Sequence, residues 1–262
     1  MNVEKKKISS WKEEIVCHLE ALGDAIRFLT IIPLPVVREM AEPRFDRALC
    51  YFSLTGSLIG GCLYLVLLVG QALPNAVLAA LLVVLMSAVS GFLHMDGLAD
   101  SADAFLSHKN KQDCLVIMKD SQIGVMGTAA IGSVFLIKYA VFSSLDRELM
   151  TAALFVAPVA GRTAITLVMA VLPYARKEGG LGSLFYSGFT RKGALINALY
   201  LVGLSVMVQN EIAEIVLIAV IITVLLVSLV SRSKIGGATG DTLGAVCELT
   251  ETAVLICFSL CC

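Results

Sequence analysis

The sequence predicts an all-α fold: a polytopic membrane helical bundle of about seven spans, preceded by an amphipathic N-terminal segment. Three observations predict it. Of the 262 residues, 58% are hydrophobic and only 16% are charged, and the mean hydropathy is +0.87, values foreign to a soluble domain. Apolar runs close to the ~20 residues that a helix needs to cross a hydrocarbon core recur along the chain. Lys and Arg residues crowd alternate connections between these runs, the asymmetry that orients membrane helices. The expected organisation is one integral membrane domain over 1–262. Residues 1–54 form a cytoplasmic or interfacial region and 55–262 the transmembrane bundle.

The N-terminus, MNVEKKKISSWKEEIVCHLE, is too polar to supply the apolar centre of a secretory signal, so none is expected. Segment 15–37 is amphipathic and carries Asp24 and Arg27, so it is expected to lie at the interface or against the bundle. Spans are expected at 55–73, 76–93, 127–145, 149–172, 194–209, 212–231 and 244–262. The run AVLAALLVVLMSAVSGFL is the cleanest, and Pro74-Asn75 supplies the turn before it. Gly56 and Gly60 read as helix-packing positions. Lys138, inside the third span, is expected to snorkel toward the far interface.

The basic residues then fix an orientation. Lys5, Lys6, Lys7, Lys12, Arg27, Arg38, Arg44 and Arg47 precede the first span. Lys109, Lys111 and Lys119 lie in the 94–126 loop, Arg176, Lys177, Arg191 and Lys192 in 173–193, and Arg232 and Lys234 in 232–243. The intervening turns hold only Arg147. Seven spans with a cytoplasmic N-terminus in the inner membrane satisfy this pattern. All the long polar loops then fall on the cytoplasmic side, which suits an enzyme working at one face better than a transporter open to both. The eight cysteines include no CxxC pair, so a zinc site is not expected. Cys261 and Cys262 fit no metal-ligand spacing.

Four polar stretches carry candidate chemistry. In GFLHMDGLADSADAF, 91–105, Asp96, Asp100 and Asp103 stand at i, i+4 and i+7, within about 60° of one another on a helix. Three carboxylates that close call for a raised pKa or a counter-cation, and hard oxygen ligands suit Mg²⁺, which takes one or two carboxylates plus substrate phosphate. A solvated helix start is the alternative. In MKDSQIGVMG, 118–127, Lys119 and Asp120 can serve a phosphate and its metal, or form an ordinary surface pair. In KIGGATGDTLGAVCELTE, 234–251, Asp241 follows Gly240 and is either a site carboxylate or an N-cap. Glu248 and Glu251 are too costly inside a membrane to be decorative, and either join a metal site or pair with a basic residue. Arg162, near mid-span, reads equally as a structural ion pair or a phosphate contact. His94 reads as a metal ligand or as a hydrogen-bonded neighbour. RKEGGLGSLF, 176–185, is either a flexible lid over an anionic substrate or a plain loop; no GxxxxGK[ST] occurs.

FLTIIPLP at 28–35, GFLHMDGLADSADAF, MKDSQIGVMG and GGATGDTLGA, in this order within seven spans, resemble the cobalamin synthase family, the adenosylcobinamide-GDP ribazoletransferases. The resemblance covers about 20–255 and departs from the family's pattern at SADAF, where a glycine often follows the third aspartate. It implies a Mg²⁺-dependent transferase of vitamin B12 biosynthesis. Such an enzyme joins α-ribazole, or its 5′-phosphate, to adenosylcobinamide-GDP and releases GMP. It further implies Asp96 and Asp100 as catalytic residues, Asp96, Asp100, Asp103 and Asp120 around Mg²⁺, and Lys119, Arg162, Gly240 and Asp241 at the substrate. The partners are then these small molecules and membrane lipid, with no nucleic acid; a homo-oligomer is left open. Two other classes share part of the pattern. A CDP-alcohol phosphotransferase also carries a DG-led aspartate set, but has Ala-Arg where this chain has Ala99-Asp100. A cation transporter would use Glu248, Glu251 and Arg162.

Overall fold

The computed structural model describes residues 2–34 and 45–260; the side chains of 2–13, 46 and 181 are outside that description, as are Pro35, Arg38, Arg44, Cys261 and Cys262. The described chain is helical, with no strand. In order the helices are α1 (Asn2–Leu29), α2 (Phe45–Ala48), α3 (Phe52–Val69), α4 (Asn75–Ala88), α5 (Leu93–Leu106), α6 (Lys111–Ile117), α7 (Val125–Ser144), α8 (Arg147–Val171), α9 (Thr190–Val208), α10 (Asn210–Ile235) and α11 (Gly240–Ser259). Six segments are long and apolar enough to cross a membrane: Leu49–Ala72, which contains α3, and α7 to α11, omitting none. A seventh arises if α4 and α5 count together. The protein is therefore an integral membrane bundle.

Burial ranks these helices. In α8 and α11, 78% of the apolar window is buried, against 28–44% in the other spans, so these two form the axis and the rest surround them. α3 packs on α8 through Gly56 and Gly60, where a Cβ would lie 2.8 Å and 2.6 Å from the Pro158 and Leu154 carbonyl oxygens. Asn197 of α9 clamps the same region: it accepts a bond from the Ser53 amide at 2.7 Å and donates to the Leu49 carbonyl at 2.8 Å.

The expected second span, 76–93, is shorter and broken. α4 has 14 residues, about 21 Å of helix against a hydrocarbon core of about 30 Å. Gly91 (φ 60°) and Phe92 (φ 58°) then adopt left-handed backbone, and α5 departs at 84°. Left-handed geometry is natural for glycine and strained for phenylalanine. Its consequence is that the aspartate-bearing helix begins inside the bundle, packed against α11 and α7, rather than in a loop beyond it.

Beneath α5 lies a buried ionic network. Lys138 of α7 donates to Glu248 and to Glu251 of α11, each at 2.6 Å. Arg162 of α8 pairs with Glu251 and donates to Ser90 at 2.6 Å. All four ionic side chains are at most 3% exposed. Lys138 therefore does not snorkel. Two cations and two carboxylates cancel in place, which is the condition for keeping charge in a low-dielectric interior.

Candidate active site

α5 and α11 cross in backbone contact, and that crossing assembles the site. A Cβ on Gly97 would lie 2.6 Å from the Asp241 carbonyl oxygen and 3.0 Å from its Cα. One on Gly244 would lie 3.0 Å from the His94 carbonyl oxygen. The glycines of DGLAD and TGDTLGA thus let two helices meet with no side chain between them. Asp96, in the first turn of α5, and Asp241, in the first turn of α11, are brought to one cavity.

The start of α11 is built by the TGD sequence itself. Thr239 is the N-cap: its hydroxyl accepts from the Thr242 amide at 3.3 Å, and the Thr242 hydroxyl accepts from the Thr239 amide at 2.9 Å. Asp241 is accordingly not the cap, and its carboxylate is free for other partners. It accepts from Arg176 at 2.7 Å and from the Thr239 hydroxyl at 3.2 Å. Arg176 reaches it because 173–175 runs beside 236–238, with Ala175 N–H donating to the Ala238 carbonyl at 2.8 Å and Ala238 N–H to the Pro173 carbonyl at 2.9 Å.

Asp100 lies one turn beyond Asp96. It is repelled by the carboxylates of Asp96, Asp241 and Asp103 and attracted by Arg176. Four carboxylates against one guanidinium make a strongly electronegative patch. Asp103 is held differently: its two oxygens accept the amides of Gly124 at 2.7 Å and Gly127 at 2.9 Å. It ties α5 to the start of α7, where unpaired amides favour a negative charge. Asp120 is exposed and accepts from the Gln122 amide at 3.1 Å. Among the described residues no three His, Cys, Asp or Glu side chains close around a common metal position. An open pair of carboxylates that substrate phosphates complete is, however, the arrangement Mg²⁺ commonly takes.

The cavity has a volume of about 320 Å³ and is lined by Asp96, Arg176, Gly240 and Asp241 together with His94 and the aromatic rings of Phe28, Phe52 and Phe185. His94 is buried, with Arg162 and Lys138 as charged neighbours, and its Nε2 has no hydrogen-bond partner among the described residues. Arg162 does not line the cavity; its partners are Glu251 and Ser90, so it acts as a structural ion pair. Lys119 sits at the loop edge, 3.0 Å from Glu178, and that contact holds the Glu178 carboxyl below the usual range. Tyr174, also on the wall, has its phenol pushed up by burial, which keeps it protonated.

Comparison with known proteins decides what this arrangement belongs to. The family model described as cobalamin-5-phosphate synthase matches residues 21–259. The chain belongs to the cobalamin-5-phosphate synthase family. Among its relatives, a protein of Clostridium novyi named adenosylcobinamide-GDP ribazoletransferase is 36% identical over 235 residues, 88% of this chain and 93% of the relative. Proteins of the same name from Caldanaerobacter subterraneus and Roseiflexus are 34% and 36% identical, covering 93% and 91% of this chain and 99% and 89% of their own length. No solved structure matches significantly.

Within this family member, Asp96, Gly240 and Asp241 line one cavity; Asp100 lies behind them, coupled to Asp96, Asp241 and Asp103, Asp103 is held by the Gly124 and Gly127 amides, and Asp120 stands apart on the surface. Sequence reasoning passed over Arg176, which was only one basic residue of a Gly-rich loop. The signal available was its position next to KEGG, in the loop entering the same face as TGD. The three phenylalanines were also missed, because apolar residues in an apolar chain carry no contrast.

Proposed function

We propose that this chain is an adenosylcobinamide-GDP ribazoletransferase that joins α-ribazole or its 5′-phosphate to adenosylcobinamide-GDP and releases GMP, with Mg²⁺ as cofactor. The observation that carries the reading is the convergence of Asp96, Asp241 and Arg176 at one cavity, with Asp100 one turn beyond Asp96 and within the electrostatic reach of all three. The names of the relatives supply the reaction.

The chemistry is a displacement at phosphorus. The ribose hydroxyl of the riboside attacks the phosphorus joined to cobinamide, the bond to the GMP oxygen breaks, and the hydroxyl proton is lost. Such reactions depend on positioning and charge neutralisation more than on covalent catalysis. Mg²⁺ held by Asp96 and Asp100 would neutralise the diphosphate oxygens. Of the two, the carboxylate nearer the attacking hydroxyl receives its proton. Arg176, oriented by Asp241, presents its remaining donors to a phosphate oxygen. Lys119, at the rim, meets the departing GMP, and Gly240 exposes the first amides of α11 to the same anion.

The site is proposed to face the cytoplasm at the inner membrane, because the basic loops 94–126, 173–193 and 232–243 meet beside the cavity, Lys119 against Glu178 and Arg176 against Asp241. The competing enzyme and transporter classes lose their support here: the relatives carry the ribazoletransferase name, and Glu248 and Glu251 are already paired with Lys138 and Arg162. The test is GMP release by purified protein with Mg²⁺. It should require both substrates; release that needs no riboside, or none at all from folded protein, would refute the reading.

A further inference from the structure

Two chemistries share the cavity, and they are segregated. Phe185 lies 4.6 Å from Phe28 and 5.3 Å from Phe52, centroid to centroid, and all three rings line the cavity. Ile165 and Met169 of α8 complete this apolar wall. The ionic groups are gathered separately by the bond between Arg176 and Asp241. The turn Leu181–Phe185 joins the two walls: a Cβ on Gly182 would sit 3.3 Å from the Tyr174 ring and 3.6 Å from the Gly240 Cα, three residues before Phe185. A ligand seated here has a flat apolar part among the rings and a polar part at the carboxylates.

We propose that this aromatic wall is the subsite for the planar, largely apolar base of the riboside, with guanine and the corrin ring held outside the cavity. The inference rests on the ribazoletransferase reading and assigns which substrate enters. At about 320 Å³ the cavity falls at the small end of ligand pockets, which run from about 300 to 1,000 Å³. It suits one nucleoside and excludes a corrin macrocycle. Guanine carries a carbonyl, a ring N–H and an amino group on its edges, and buried among phenylalanine, isoleucine and methionine they would lose their partners. A benzimidazole base, with one unsubstituted ring nitrogen and otherwise apolar edges, loses far less. Offset or edge-to-face rings of the kind seen here favour such a plane. Placing the base there leaves its ribose beside Asp96 and Asp241, where the attacking hydroxyl is needed.

Direct binding tests this independently of turnover. Equilibrium dialysis of α-ribazole would be run with the full-length protein in detergent, using guanosine as competitor, and repeated with Phe185→Leu and the milder Phe28→Leu. The base subsite predicts saturable α-ribazole binding that guanosine does not displace. It also predicts a roughly tenfold loss of affinity in Phe185→Leu, as expected for removing one stacking ring. In steady state the same variant should raise KM for the riboside about tenfold and leave KM for adenosylcobinamide-GDP within about twofold. Equal displacement by guanosine, unchanged affinity in both folded variants, or a KM change confined to the GDP substrate would overturn the assignment. If wild type binds α-ribazole in this way but releases no GMP, the transferase reading fails while the base subsite stands.

Discussion

Substituting Gly97 with alanine tests how the site is assembled, because it adds one carbon at the crossing of α5 and α11 and alters no polar group. That carbon would lie 2.6 Å from the Asp241 carbonyl oxygen and 3.0 Å from the Asp241 Cα. Both are backbone atoms, so no rotamer change relieves the contact. Reaching the 3.4 Å at which ordinary contact begins requires the two backbones to separate by about 0.8 Å. Asp241 rides on that backbone and carries Arg176 with it, so the whole ionic wall moves relative to Asp96. A displacement approaching 1 Å at a reacting centre costs about 100-fold in rate, while overpacking costs about 1–3 kcal/mol of stability. The expected result is kcat/KM for GMP release about two orders of magnitude below wild type, in protein that still inserts and melts cooperatively at a lower temperature. Gly61→Ala is the matched control, since nothing lies within 4 Å of its Cβ position, and it should leave activity unchanged. Activity of Gly97→Ala within threefold of wild type would refute the claim that this contact sets the site.

Three further outcomes follow from the same geometry. Arg176→Ala removes the one guanidinium that acts on the carboxylate cluster among the described residues, and kcat should fall about 100- to 1,000-fold; Arg176→Lys should recover little, because a point charge cannot span Asp241 and a phosphate together. Lys138→Met strands the buried Glu248 and leaves Glu251 with Arg162 alone, and thermal or denaturant unfolding in detergent should report a loss of about 3–5 kcal/mol, whereas a phenotype limited to catalysis would contradict the structural role. Glu178→Gln removes an exposed partner of Lys119, and GMP release should change less than about threefold. The Lys119 contact draws the Glu178 pKa down, so its small contribution is present above the ordinary glutamate range and fades as pH falls through the lowered value; activity measured at low and high salt should show it screened.

The bundle was legible in the sequence because membrane insertion demands long apolar runs, and those runs need no partner to be recognised. The boundaries of α7 to α10 follow from it. The break at 89–92 did not, since AVSGFL stays apolar through the bend and only Gly91 hints at left-handed backbone. Asp96, Asp100 and Asp241 were legible as charges placed where charge is expensive. Their division from Asp103 was not: that depends on amides of Gly124 and Gly127, 21 and 24 residues away. The pairing of Lys138 with Glu248 and Glu251 spans more than 100 residues. Sequence offered only the parity of two acids and two bases within the spans. Arg176 escaped notice because its meaning lies in a parallel contact between two loops, which no local pattern encodes.

The central claim is that carboxylates delivered by α5 and α11 run the transfer that releases GMP. It is tested most directly by quantifying GMP and the corrinoid product from purified wild type, Asp96→Asn and Asp241→Asn, each with both substrates and Mg²⁺. The account predicts GMP and product in equal amounts from wild type, and at least about a 100-fold loss in both variants at unchanged thermal stability. Near-normal GMP release by folded Asp96→Asn would contradict it.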